Sequence, residues 1–588
     1  MKRLLFVIAL LIFALSLVVA PAAAQDAPTG TWLGTWPYVA PGTHHLNSYA
    51  SGGLNDNLGV VYRSYVELPP AFYMWATNEY MPLLAESWGF VDDNTAYEYT
   101  IKEGALWSDG SPVTSQDVVD TFTLGRILNW TQWNSLTSVE AVDERTVRFN
   151  FTEGGASLNM ERLLLKEYVT ASANYGELAA QAREVIDSGA ASDSAEWQAV
   201  GTALAEFRPE TLIASGPYTY ALSDVGEAFM TLHWQPNSVF SDSVQFGDIK
   251  LWAGETEAST PLVLSGDVAH ATNVFPPATM QAFADAGINL VSMPLGYGPV
   301  LLFNLTVAPF DNVLVRQAMA YAINREQNAL LTNGLGATGT VYMAGILDGQ
   351  AETLLSQETL DSLNRYEYNL EMAASLMEQA GYTLNADGKW ADASGATISV
   401  EYTFPADFAD FSAAARDATA QLNDFGFDIS ERALPWQESR DAVRAGDFQL
   451  SVWSWGAASP FAYGHFNNPL RRWTSATLPA DQPGIGIDLS AMEVNGETID
   501  LNSMILHVSD GLDAAEQMAN ADTLAKLINE NMWYIPLNME LSVQPMNTTY
   551  ISGLPDQSDP IWQNPSGVDI GTIWLVLNGT LAPTEAAQ

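Results

Sequence analysis

Six histidines and no cysteine set narrow limits on the chemistry this chain can do. Without thiols there is no disulfide, no thiolate metal ligand and no cysteine nucleophile. His44, His45, His233, His270, His465 and His507 show no zinc-type spacing, and His-Glu-x-x-His is absent. His44 and His45 are adjacent, and neighbouring surface histidines are usually not ligands, so no metal is expected. Asn385-Ala386-Asp387-Gly388 echoes part of a calcium loop but lacks the downstream glutamate, and reads as a turn. Gly334-Leu335-Gly336-Ala337-Thr338-Gly339 has the letters of the dinucleotide fingerprint. That fingerprint needs a strand before it and a helix after it; this one follows a helix and reads as a helix end and loop. No Gly-x-Ser-x-Gly occurs. The 69 acidic residues supply carboxylate pairs by chance, and the pair a glycosidase needs is defined by its separation. No cofactor and no catalytic residue are expected.

Aromatic chemistry is the positive signal. The chain has 18 Trp, 22 Tyr and 23 Phe. Core packing should claim most of them, yet Trp36, Trp75, Trp436, Trp453, Trp455 and Trp473 fall outside clear core periodicity. Tryptophan offers a flat apolar face and one N–H. Sugar rings need both, since their C–H faces stack and their hydroxyls hydrogen-bond. Pockets of this kind add a few placed polar groups.

The elements that must carry such a site are legible in several places. Tyr97, Tyr99 and Ile101 alternate with Glu98, Thr100 and Lys102, which predicts a half-buried strand. Ser108-Asp109-Gly110 is a turn beside an exposed Trp107. Thr114, with Asp117 three residues on, caps an amphipathic helix. Val315, Ala318, Met319, Ala322 and Ile323 mark another helix. Alanine- and glutamate-rich segments at 176–188 and 194–206 read as a helical hairpin. Pro583 to Gln588 read as loose. With 588 residues, the chain is too long for one compact core, so two or more lobes are expected. A net charge of −46 and a pI near 4.1 repel nucleic-acid phosphates and anionic lipids. Lys2 and Arg3, the apolar run Leu4 to Val19, and Ala22-Ala23-Ala24 read as a signal peptide cut after Ala24.

Leu84-Ala85-Glu86-Ser87-Trp88 and the stretch 97–122 together resemble the signature of family 5 extracellular solute-binding proteins of ABC importers. Val315 to Glu326 resembles the family's second signature, and Ser215-Gly216-Pro217-Tyr218 and Met532 to Leu537 follow in family order. The resemblance implies an α/β, periplasmic-binding-protein-like fold, in which two ligand-gripping lobes are joined by hinge strands and accompanied by an extra lobe. The lobes would be 25–70 with 213–295 and 530–588 (lobe I), 71–212 (lobe II) and 296–529 (lobe III). It implies a non-enzymatic monomer outside the cytoplasm that captures a small-molecule ligand between lobes I and III and docks on an ABC permease, with no nucleic-acid partner. Lacking cysteine, it would not be lipid-anchored.

Peptide-binding relatives typically carry Trp-x-x-Asp where this chain has Trp455-Gly456-Ala457-Ala458. That aspartate holds the ligand's α-amino group, and here Ala458 stands in its place. Burying an ammonium without a counter-charge is costly, unless another acid such as Glu438 or Asp441 substitutes. An oligosaccharide is therefore the expected ligand, for example a β-linked glucan or mannan fragment. Trp455, Trp453, Trp436 and Trp473 are the expected stacking residues, and Asn47 and Asn304 the polar contacts. An oligopeptide ligand is the alternative, and a secreted glycosidase the third reading.

Overall fold

The computed structural model describes residues 27–36, 44–494 and 496–587. The signal peptide expected at 1–24 lies outside the described residues. The stretch at 97–122 folds as its periodicity predicts. Strand Ala96–Ile101 buries Tyr97, Tyr99 and Ile101. It sits inside an antiparallel four-stranded sheet with Ala85–Val91 on one side and Thr146–Phe151, then Leu136–Ala141, on the other. Gly110 turns the chain at φ +86, a conformation that costs glycine nothing. Helix Ser115–Ile127 follows. The Asp117 carboxylate accepts from the Thr114 N–H at 2.8 Å and the Thr114 hydroxyl at 2.9 Å. It also accepts from Ser172 N at 2.7 Å. Trp107 departs from expectation. It is 1% exposed, and its Nε1 points at Asp117 from 3.4 Å. The turn folds back over the helix start, so its one large apolar side chain is driven inward.

Two large cores organise the molecule. The first draws buried side chains from Trp32 to Met293 and from Met546 to Leu581. Its second sheet places Thr31–Thr35 parallel to Asp248–Trp252, followed by Phe229–Trp234 and Tyr218–Thr219. Helices Ser172–Asp187 and Ala195–Glu206 pack on helix Ser115–Ile127 through Tyr175, Trp197 and Leu204. The other large core spans Val300 to Leu537. It surrounds a five-stranded sheet in the order Asp428–Leu434, Ser399–Pro405, Leu450–Trp455, Gly298–Phe303, Tyr534–Pro536.

Helix Val313–Ala322 buries Val315, Ala318, Met319 and Ala322 as its spacing predicts. It also buries Arg316, whose guanidinium donates to the carbonyls of Phe310, Asn531 and Met532. Asn531 and Met532 close helix Ala514–Asn531, so this cation caps a helix C-terminus. Burial pulls its pKa down to about 10.

The chain passes between the two cores twice. It leaves through Asn289–Pro294 into Gly298–Phe303 and returns through Tyr534–Pro536 into Asn538–Met546. The outgoing and returning strands pair antiparallel on both sides of the crossing, with Pro294 opposite Leu541 and Leu301 opposite Ile535. The carboxyl end is less free than its composition suggests, because Ala582–Pro583 pairs with Ile551–Ser552. Among the described residues no helix is long and apolar enough to cross a membrane.

Candidate functional site

Over the crossing strands lies a cavity of about 410 Å³. Its floor is the crossing itself: Pro294, Gly296 and Tyr297 outbound, Met539, Glu540 and Leu541 returning, and Thr338 from the neighbouring short strand. The first core supplies one wall. Trp75 and Asn78 come from the loop between strands Ala71–Met74 and Glu79–Pro82, and Trp562, Gln563 and Pro565 from the C-terminal segment. The second core supplies the facing wall from Leu347 and helix Asp348–Leu354, which contributes Gln350, Thr353 and Leu354. A second chamber of about 260 Å³ shares Asn78, Thr353, Leu354 and Pro460 with the first. It extends to Tyr73, Tyr80, Glu161 and Gln517.

The larger chamber is lined by apolar and neutral polar groups, with one carboxyl. Glu540 is 2% exposed; burial, and then the neighbouring Asp410 carboxyl, push it well above the usual carboxylate range, which favours its neutral form. Among the described residues, no lysine, arginine or histidine lines either chamber. Gln350 is notable because its Oε1 is buried without a hydrogen-bond partner among the described residues. A buried acceptor left unmade costs about 1–3 kcal/mol, and Gln350 is also one of the residues lining the cavity. Trp75 is held from behind. Its indole Nε1 donates to Asp569 at 3.1 Å, and its backbone N donates to Asn564 Oδ1 at 3.1 Å. Trp562 Nε1 donates to the Asp556 carbonyl at 3.1 Å, and the residue, 3% exposed, lines the cavity from the first core.

Ala458 stands at the cavity's edge. A Cβ built on Gly296 would lie 2.6 Å from the Ala458 Cβ, and Gly296 has φ +91. Close approach and left-handed backbone together require glycine here. The small Ala458 side chain is what lets the two segments meet. Glu438 and Asp441 belong to helix Trp436–Ala445 and do not line either chamber.

The six residues expected to contact the ligand, Trp455, Trp453, Trp436, Trp473, Asn47 and Asn304, lie elsewhere, and none lines either chamber. Trp455 is fully buried and donates its Nε1 to the Asn538 carbonyl at 2.9 Å. Trp436, Trp453 and Trp473 do come together, as consecutive edge-to-face pairs 6.0 and 5.0 Å apart. Trp453 and Trp473 are core residues, whereas Trp436 is half-buried under the Arg440 guanidinium. Asn47 spends its amide on the carbonyls of Leu204 and Phe207 at the end of helix Ala195–Glu206. Asn304 donates to the carbonyls of Gly446 and Phe448. Both asparagines therefore have their polar atoms engaged by main chain.

The cavity residues Trp562, Gln350, Asn78 and Glu540 were not anticipated. Trp75 was noted only for lying outside core periodicity. The available signal was its position: a large aromatic at the tip of a hairpin has no adjacent strand to bury it.

The family model described as bacterial extracellular solute-binding proteins, family 5 (middle) matches residues 79–475. A probable deoxycholate-binding periplasmic protein of Escherichia coli is 23% identical over 76% of this chain and 81% of its own length. A peptidoglycan-binding protein of Agrobacterium fabrum is 24% identical over 68% of this chain and 72% of its own. A periplasmic oligopeptide-binding protein of Thermotoga maritima superposes with a TM-score of 0.74 at 18% identity, covering 95% of this chain and 100% of that one. Its mannohexaose-bound structure superposes with a TM-score of 0.66 at 19% identity, covering 96% and 100%.

Proposed function

The chain belongs to the family 5 bacterial extracellular solute-binding proteins and is a substrate-binding protein of an ABC transporter, and from that premise we propose that it captures a neutral oligosaccharide in the two-chambered cleft and delivers it to a membrane permease. The observation that carries the reading is the lining of the larger chamber. Two tryptophans, Trp75 and Trp562, wall it on one side, Gln350, whose Oε1 is buried and unpartnered among the described residues, lines the other, and among the described residues no cation lines it. Tryptophan faces suit the C–H faces of sugar rings, and a ligand hydroxyl would donate to Gln350 Oε1. The Thermotoga structure with bound mannohexaose supports the same ligand class. A sugar reaching from Trp75 to Gln350 would touch both cores at once. Such contacts exist only when the walls are close, so the ligand would favour the closed arrangement. Hinge motion is assigned to the paired crossing strands.

An oligopeptide is the second reading. A di/tripeptide-binding protein of Pseudomonas aeruginosa is among the relatives, and Glu161 in the smaller chamber would have to meet the amine. Burial raises the Glu161 pKa, against the hydrogen bond that Tyr97 donates to it. Calorimetric titration of wild type, Trp75→Ala and Gln350→Ala with mannohexaose tests the proposal. Both variants should bind at least about tenfold more weakly, the loss of one stacking or hydrogen-bonding contact. Unchanged affinity in both would remove this cavity as the sugar site.

A further inference from the structure

Against Trp75 packs a buried charged cluster whose own residues line neither chamber. Asp569 has a fully buried side chain and forms ion pairs with Arg162 and Lys166. The Arg162 guanidinium lies 4.9 Å from the centre of the Tyr73 ring and 5.8 Å from that of Trp75. Asp569 sits at φ +51, a left-handed conformation that aspartate tolerates better than most residues. Asn564, also fully buried, donates to the carbonyls of Tyr73 and Asp569 and accepts from the Trp75 backbone N–H. One network therefore joins the hairpin carrying Trp75 and Asn78 to the C-terminal segment carrying Trp562 and Gln563. These are the two pieces of chain that make one wall of the cavity, and they lie almost 500 residues apart in sequence.

We infer that Asp569 is a positioning residue for ligand recognition: its carboxylate fixes the Trp75 indole by the edge, so that the ring presents its face to the cavity in one orientation. Trp75 is only half-buried and sits in a hairpin loop, where an indole would otherwise sample several rotamers. A charge-assisted hydrogen bond to an anchored acceptor removes that freedom before the ligand arrives. The two cations serve the same end. Burial alone would raise the Asp569 pKa, but Lys166 and Arg162 outweigh it and hold the carboxyl below its ordinary range, so the acceptor stays ionised. The inference rests on the reading that Trp75 faces the ligand, and its test separates the two.

The test has one arm without ligand and one with it. In ¹⁵N-indole spectra, the Trp75 resonance is the one lost in Trp75→Phe. In Asp569→Asn that resonance should shift and its solvent exchange should quicken about tenfold or more, the loss of one charge-assisted hydrogen bond, while the other indoles stay in place. An unchanged Trp75 resonance overturns the inference whatever the ligand is. Should Asp569→Asn fail to fold, Lys166→Met/Asp569→Asn keeps the cluster's net charge at +1 and gives the same readout. In the second arm, Trp75→Phe and Asp569→Asn should each weaken mannohexaose binding about tenfold. The double variant should be no weaker than the worse single one, because both changes break one link. Fully additive losses would overturn the inference. If wild type binds no mannohexaose while the indole arm behaves as expected, the ligand reading fails and the positioning role stands.

Discussion

At the scale of single residues, Trp455 and Trp75 stand in contrasting surroundings. Trp455 closes the central strand of the five-stranded sheet, with its ring enclosed and its N–H satisfied by main chain. Trp455→Ala should therefore cost about 3–5 kcal/mol of stability, the usual range for emptying a buried aromatic site. Urea unfolding would read this as a lower midpoint, with ligand affinity kept by the folded fraction. A variant as stable as wild type but unable to bind sugar would contradict the structure. The sequence around Trp455 reads Leu-Ser-Val-Trp-Ser-Trp, a nearly continuous buried run of the kind a strand covered on both faces requires. That pattern, more than the aromatic content, was the informative signal. Trp75, by contrast, sits where the hairpin leaves it without a strand neighbour to pack on.

At the scale of elements, much was legible because the determining contacts are local. The alternation at 97–101, the cap at Thr114 and Asp117, and the apolar spacing of helix Val313–Ala322 each need only a short window. Asp117 does more than its motif implies. It accepts from Thr114 twice, from Ser172 and from Trp107, and so joins the helix start to the turn and to the start of helix Ser172–Asp187. Asp117→Ala should cost about 2–4 kcal/mol, combining a lost cap with buried donors left unmade. Chemical denaturation measures this, and a cost below about 1 kcal/mol would mean that water replaces the carboxylate. The cleft was not legible for the opposite reason. Its lining comes from segments near 75, 295, 338, 350, 460, 540 and 563, which only the completed fold brings together. No short window contains that juxtaposition. The family resemblance supplied the fold, and the absence of an acid at Ala458 supplied the ligand argument, while the residues proposed to meet the ligand came from geometry.

At the scale of the whole molecule, buried titratable groups pull the pH dependence in opposite directions. His270 and His465 are held neutral, with burial lowering each from 6.5 to about 4. The unfolded chain takes up their protons first, so their contribution to stability falls as pH drops from 6.5 toward 4. Glu167 has the reverse sign. Burial raises it from 4.5 to about 7, so its contribution is complete below 4.5 and is lost as pH rises toward 7. Glu167→Gln removes that titration and keeps the acceptor for Gln132 Nε2, 2.9 Å away in the native protein. The variant's stability relative to wild type should therefore climb between pH 4.5 and 7, by a total on the order of 3 kcal/mol, and level off above. Urea midpoints at stepped pH read the difference directly, and a difference that stays flat across that range would contradict it.

A cleft walled by tryptophan and neutral polar groups should take an uncharged ligand. Thermal unfolding of the mature protein against neutral oligosaccharides and against short peptides tests it most directly. A ligand that binds only the native state stabilises it by RT ln(1 + [L]/Kd), roughly 2.7 kcal/mol at a hundredfold excess over Kd. Tm should rise with oligosaccharides such as mannohexaose and stay unchanged with peptides. A rise with peptides alone would contradict it, and would mean that a carboxylate in the cleft holds the ammonium that Ala458 cannot.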